Sequence, residues 1–372
     1  MLEQHLIQKT GSVEERNWPQ LLEGLSYANG KPEVFADIKA MPEHFVVVEQ
    51  MDIEPSGEGE HIWLDITKIR RNTDAVAKSL ARFAGVANRD IGYSGLKDFD
   101  AVTRQWFSVW RPKGESLDWA SYQFDGVTVN SIKLHSRKIK RGTHRSNRFQ
   151  IRLKNLGYTG SLQDLKGIIE TRINSVQSRG VPNYYGPQRF GRNAGNINQA
   201  LAMFNGGKKV KDRGLRSILL SSARSWLFNS VVSNRVKNEN WQRLFSGEPA
   251  NLDSTNSVFT VECVDKENER LERLDIHPTA PLWGQDSKRL TSAFDAELLS
   301  LEENAMLPFF DLQKGLEGAR LDYQRRATRV VVKHLTWQYE QVSSNQLDCI
   351  LDFELNRGQF ATSVLRELVA VR

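Results

Sequence analysis

Cysteine is scarce in this sequence: Cys263 and Cys349 are the only two, and they stand far apart. No Cys-x-x-Cys or Cys/His cluster exists, which excludes a structural zinc site or a disulfide framework and fits a reducing compartment. The seven histidines (His5, His44, His61, His135, His144, His277 and His334) show no acid/base pairing in the sequence. No apolar run approaches the length of a membrane span, and the first residues lack a signal-peptide core. A cytoplasmic protein with no membrane contact is therefore expected. Also missing are a Walker loop, a Gly-x-Gly-x-x-Gly turn, a Ser-His-Asp order and any metal-ligand cluster. Chemistry on this chain is expected to need no metal and no cofactor, and to rest on one carboxylate.

What is present fits a globular protein larger than one typical domain. The chain has 372 residues, of which 39% are hydrophobic and 26% charged. Its net charge is +6, with a pI near 9.2, and the distribution says more than the total. From Ser131 to Lys154 there are nine Lys and Arg and no Asp or Glu. A run this dense, flanked by strand-like segments, favours a phosphate backbone as partner over a merely solvated face.

Periodicity divides the chain. Strands are predicted near 34–39, 45–51, 61–69, 102–111, 127–135 and 148–155. Helices are predicted over about 74–84, capped by Asn72 or Thr73, and about 162–178, starting at Ser161. The Gly/Pro/Asn-rich stretch 179–196 follows, and helical patterns then dominate at 196–205, 216–237, 265–274 and 292–315. After Arg329 two strands return, with a last helix after NRGQFATS. The fold class expected is α+β: a mainly antiparallel sheet domain, 1–179 and 331–372, interrupted by a mostly helical inserted domain, 180–330.

GLKDFDAVTRQWFSV, residues 95–109, is the densest stretch. It sets a Lys-Asp pair on a Gly-rich turn and runs straight into a strand. Asp and Gly are ordinary turn residues, so a hairpin corner is the plain reading. A carboxylate held at the rim of a cleft by a rigid strand is the sharper one. Neighbours on an extended segment point to opposite faces, so Lys97 is poorly placed to neutralise Asp98. A cation from another segment is needed to hold a cleft carboxylate in its charged form, and Lys39 is the candidate. Asp100 is the only other carboxylate nearby. Asn147 and Phe149, in SNRFQIRL, offer a donor-acceptor edge for uracil and a stacking ring; a turn Asn before a core Phe fits equally well. Phe45 and Phe360 read as core residues more readily than as stacking platforms. Tyr184, Tyr185, Gln188, Arg189 and Phe190 combine rings and phosphate donors on one loop.

These segments together resemble the tRNA pseudouridine synthase D family over nearly the whole chain. The resemblance rests on KAMPEHFVVVE (39–49), GLKDFDAVTRQ (95–105), SNRFQIRL (146–153), GVPNYYGPQRFG (180–191), SSARSWLFN (221–229) and GQFATSVLREL (358–368), in the family's order. It implies a tRNA uridine-13 pseudouridine synthase: an isomerase acting on uridine in the D arm, with Asp98 as catalytic aspartate. It also implies that Phe45, Asn147 and Phe360 surround the target uridine, and that Lys39 is the basic residue of the active site. Phe149, Gln105, Tyr184 and Arg189 complete the expected substrate contacts. The stretch from about Gly180 to 330 matches the family's inserted domain. The partner expected is tRNA, and the protein is expected to be a monomer. Two departures stand out: the first thirty residues match nothing usable, and 238–290 is too divergent to align. A non-catalytic RNA-binding protein and a metal-free RNA-cleaving enzyme are the rival classes. The candidate site residues argue against the first, and the lack of a His or Lys acid/base pair against the second.

Overall fold

A computed structural model describes residues 16–111, 117–207, 210–255, 257–285, 291, 293–343 and 346–372. These fall into two compact units. One comprises Asn29–Val181 and Val330–Arg372, the other the residues up to Ala28 together with Pro182–Arg329.

The first unit is built on a ten-stranded sheet. Seven strands run in the order Lys333–Ser343, Gln346–Asn356, Ser146–Gly157, Phe45–Gln50, Val102–Trp110, His61–Ile69 and Val127–His135. Phe35–Asp37, Ile91–Tyr93 and Ala370–Val371 attach beside this path. Pairing is antiparallel except where Phe45–Gln50 meets Val102–Trp110 and where Phe35–Asp37 meets Ala370–Val371.

Register decides which side chains share a face. Val47 lies beside Thr103, and Lys68 opposite Thr103. Phe45, Val47, Phe149, Ile151 and Phe353 pack there under the helices Leu162–Arg179 and Ala361–Leu368. Leu64, Ile66 and Phe107 lie further along the same face, under Val76, Ala77 and Leu80 of the helix Thr73–Ala84. Between these two apolar clusters the face turns polar, with Glu49, Lys68, Thr103 and Gln105 all buried. The other face carries Arg104, Arg148 and Arg152, ion-paired to Asp65, to Asp352, and to Glu340 and Asp348.

Those ion pairs correct one expectation. The basic run lacks acids in sequence but finds them in space, from strands about two hundred residues away or across the sheet. Arg145 likewise meets Asp52 and Glu354. A second correction concerns the helix at 73: Asn72 makes no capping hydrogen bond, and the Thr73 hydroxyl is engaged elsewhere, as described below. Ser161 does cap its helix, accepting from the Asp164 N–H at 3.1 Å.

The second unit centres on the 25-residue helix Arg213–Lys237. Trp226 of that helix packs edge-on against Trp18 and Phe309, and Arg16 pairs with Asp311 at 2.8 Å. The stretch 16–28 thus belongs with this unit, whereas the sequence reading gave it to the sheet domain. Residues 1–15, part of that same reading, lie outside the described residues. Buried Arg235 pairs with Glu248 at 2.7 Å, and Arg325 with Glu302 at 2.7 Å. The helix read over 292–315 begins at 292, outside the described residues. Its remainder is two helices, Ala296–Met306 and Phe310–Gly318, joined through Leu307–Phe309. Pro308 has no N–H to continue the first helix. Short strands missed in the sequence also appear here: Pro249–Leu252, Val258–Thr260, Ile276–His277, Thr279–Leu282 and Gln324–Ala327. Pieces of two to four residues are too short to show a period.

Candidate active site

The loop carrying Asp98 crosses the polar gap in the sheet face and is pinned from beneath at three backbone groups. Lys68 Nζ donates to the Asp98 carbonyl at 2.9 Å. Gln105 Nε2 donates to the Gly95 carbonyl at 3.1 Å. The Lys97 N–H donates to Thr73 Oγ1 at 3.1 Å, and Thr73 in turn donates to Gln105 Oε1 at 3.1 Å. Two strands and a helix end thereby fix a loop that has no regular structure of its own. Leu96 and Phe99, either side of the Lys-Asp pair, are exposed.

Asp98 keeps its carboxylate at the surface of this arrangement, with its side chain 30% exposed. Lys39 Nζ stands 3.8 Å from Oδ1. Lys39 adopts φ 56°, a left-handed conformation uncommon for lysine. Its ammonium also sits 4.0 Å from the centroid of the Phe45 ring. Phe45 is buried, so its ring seats the lysine by a cation–π contact.

Lys97 points elsewhere, away from the Asp98 carboxylate. Its ammonium lies 2.9 Å from Glu49 Oε2, off the hydrogen-bond direction. It donates to Asn147 Oδ1 at 2.6 Å. Glu49 and Asn147 are register partners on adjacent strands, which is why one lysine reaches both. Glu49 Oε1 also accepts from the Trp106 N–H at 3.2 Å.

An ammonium only donates, so Asn147 must present its oxygen to Lys97 and its amide nitrogen to His144. Asn147 Nδ2 lies 3.4 Å from His144 Nε2, and Ser94 Oγ lies 2.5 Å from His144 Nδ1. Nε2 therefore accepts, Nδ1 carries the proton, and the imidazole is neutral. Burial, helped by the positive charges of Lys97 and Arg357, pushes the His144 pKa down to about 4. Burial also lowers the Lys68 ammonium to about 8, with Lys97 adding to the drop and Asp98 opposing it.

The structure thus gathers Lys39, Phe45, Asp98, Gln105, Asn147 and Phe149 in one unit. Phe360, half-buried, precedes the helix Ala361–Leu368 of the same unit. Three of the residues expected to contact substrate are buried. Phe149 stacks on Phe353 with centroids 5.4 Å apart. Gln105 is committed to the loop, as above. Tyr184 is buried in the second unit and donates its hydroxyl to the Ser26 carbonyl at 2.9 Å. Arg189, also in that unit, is half-buried; it donates to Ser221 Oγ at 3.0 Å and lies over Tyr185. Sequence reasoning missed Glu49, Lys68, Thr73, Ser94 and His144. Only Glu49 carried a signal, an acid at the next inward position after Phe45 and Val47.

Among the described residues, no group of His, Cys, Asp and Glu is arranged to hold a metal ion, and no helix is long and apolar enough to cross a membrane.

Comparison with known proteins gives the family. The family model described as tRNA pseudouridine synthase D (TruD) matches residues 22–203 and 199–368. The tRNA pseudouridine synthase D of Nitrosococcus oceani is 39% identical over 351 residues, covering 93% of each chain. That of Hydrogenovibrio crunogenus is 38% identical, covering 95% of this chain and 98% of its own. A solved structure titled putative tRNA pseudouridine synthase D from Methanosarcina mazei shares the fold, with a TM-score of 0.69 at 16% identity, covering 92% of this chain and 95% of that one. The chain belongs to the tRNA pseudouridine synthase D family.

Proposed function

We propose that this protein isomerises uridine to pseudouridine in tRNA, at position 13 of the D arm, with Asp98 as the one catalytic carboxylate and neither metal nor cofactor. The observation that carries the reading is Asp98 itself: a partly exposed carboxylate beside the Lys39 ammonium, on a loop whose backbone is fixed at Gly95, Lys97 and Asp98.

The reaction breaks the N1–C1′ bond, turns the uracil, and joins C5 to C1′. The proton on C5 leaves and N1 gains one, so nothing is oxidised or lost. Asp98 acts on the sugar, as nucleophile at C1′ or as base. Lys39 balances its charge before and after the step. The detached base has to be guided while it turns. Asn147 suits this task because Lys97 and His144 fix which end of its amide is donor and which acceptor. Phe360 supplies a ring edge to the same pocket. The target uridine leaves its stack to reach the carboxylate. Arg189 and the second unit, which matches the family's inserted domain, bind the RNA backbone.

Incubation with tRNA tritiated at uracil C5 tests the reading. Isomerisation releases tritium and leaves the RNA intact; simple binding releases none, and cleavage shortens the RNA.

A further inference from the structure

Lys68 is a costly residue. It is the largest cationic side chain of the sheet unit with no exposure, and among the described residues its only hydrogen bond goes to the Asp98 carbonyl. Two of its three N–H donors find no protein acceptor. Opposite it, the Thr103 hydroxyl is buried with no partner among the described residues. A methionine would fill the same space without desolvating a charge. Stability alone does not explain a lysine here.

Resting on the reading of Asp98 as the catalytic carboxylate, we propose that Lys68 is a positioning residue: its buried cation clamps the Asp98 peptide and adds a second positive charge behind the carboxylate that Lys39 faces from the front. The charged groups around Lys68 are few. The Asp98 loop brings Asp98 and Lys97, and the Lys97 ammonium is turned to Glu49. The strand Val102–Trp110 offers neutral Thr103 and Gln105, and Val127–His135 places Val127 opposite. The helix Thr73–Ala84 turns Val76, Ala77 and Leu80 inward, with Asp74, Lys78 and Arg82 exposed. Among the described residues, Asp98 and Lys97 are the charges that act on Lys68, so losing its proton leaves Lys39 alone beside the carboxylate.

Activity and stability should therefore move in opposite directions. Folded Lys68 titrates near 8, below its unfolded value of about 10.4. Between those values the unfolded chain holds more protons, so raising the pH stabilises the fold. Over the same interval the clamp loses its charge and the isomerisation rate falls.

The test compares wild type with Lys68→Met in single-turnover assays at saturating enzyme, from about pH 6 to about pH 10, alongside thermal melting. Lys68→Met should bind tRNA unchanged, melt no lower than wild type at neutral pH, and react about tenfold slower or worse. Its rate should also lack the wild-type fall near pH 8. A rate within about twofold of wild type, or the same alkaline fall in the variant, overturns the proposal. Should the variant not fold, the wild-type profile decides: no fall in rate near pH 8 contradicts the clamp, and a fall there, with stability rising, supports it. Asp98→Asn, run in parallel, separates the two readings. An active Asp98→Asn refutes the catalytic assignment, whereas a dead one beside a fully active Lys68→Met refutes only the clamp.

Discussion

At the scale of single residues, the site is a set of charges held by one another. Lys97 and Glu49 are almost wholly buried and close together. Removing either leaves the other as an unpaired buried charge, which costs about 3–5 kcal/mol. Glu49→Gln should lower stability by roughly that amount, and chemical denaturation measures it. The neutral His144 gives a pH signature. Its folded pKa of about 4 lies below the ordinary 6.5, so its contribution is complete above 6.5 and is lost as pH falls toward 4. The change is at most about 3 kcal/mol. His144→Gln should flatten the acid side of the stability profile over that interval. Asp98 and Lys39 were legible in the sequence because their motifs are local. Lys68 and Thr73 were not: each matters only through a hydrogen bond to a loop about thirty residues away or nearer, set by strand register and a helix end.

Strands and helices were legible where their period ran long enough. The strands at 61–69 and 127–135 were read at their observed bounds, while the pieces of the second unit lacked the length to show a pattern. Faces were less legible than elements. The basic run read as one positive surface, yet Arg148 and Arg152 project on the sheet face opposite Asp98 and are ion-paired. The loop residues differ: Arg141 lies over half-buried Tyr93, and Lys138 reaches the Arg89 carbonyl. Replacing Arg137, Lys138, Lys140 and Arg141 with Ala should weaken tRNA binding and flatten its salt dependence by about 0.7–0.9 in log–log slope per lost phosphate contact. Replacing Arg148 and Arg152 should leave that slope unchanged. Binding titrations at several salt concentrations distinguish the two sets.

For the whole molecule, the two-unit division places every bond-breaking candidate in Asn29–Val181 and Val330–Arg372. The return of the chain after Val330 supplies the last helix, where Val364, Leu365 and Leu368 are buried. Each such side chain stabilises by about 1.5–3 kcal/mol, so truncation before Gly358 should unfold the sheet unit, as circular dichroism will show. The GVPNYYGPQRFG segment, by contrast, serves largely as framework. Asn183 bonds the Ala327 and Thr328 carbonyls, and Tyr185 exchanges hydrogen bonds with Asn229. The segment's buried rings Tyr184, Tyr185 and Phe190 looked like stacking platforms in the sequence because rings read alike whether they face solvent or core, whereas Arg189 stays half-exposed.

Catalysis by one carboxylate is tested most directly by Asp98→Asn in a single-turnover tritium-release assay on tRNA tritiated at uracil C5. The Lys68 bond is to the main chain, so the variant should keep its fold and its affinity for tRNA. Release should fall by about a thousandfold or more. Residual release within about tenfold of wild type, from a folded variant, would contradict the assignment and direct attention to Asp100.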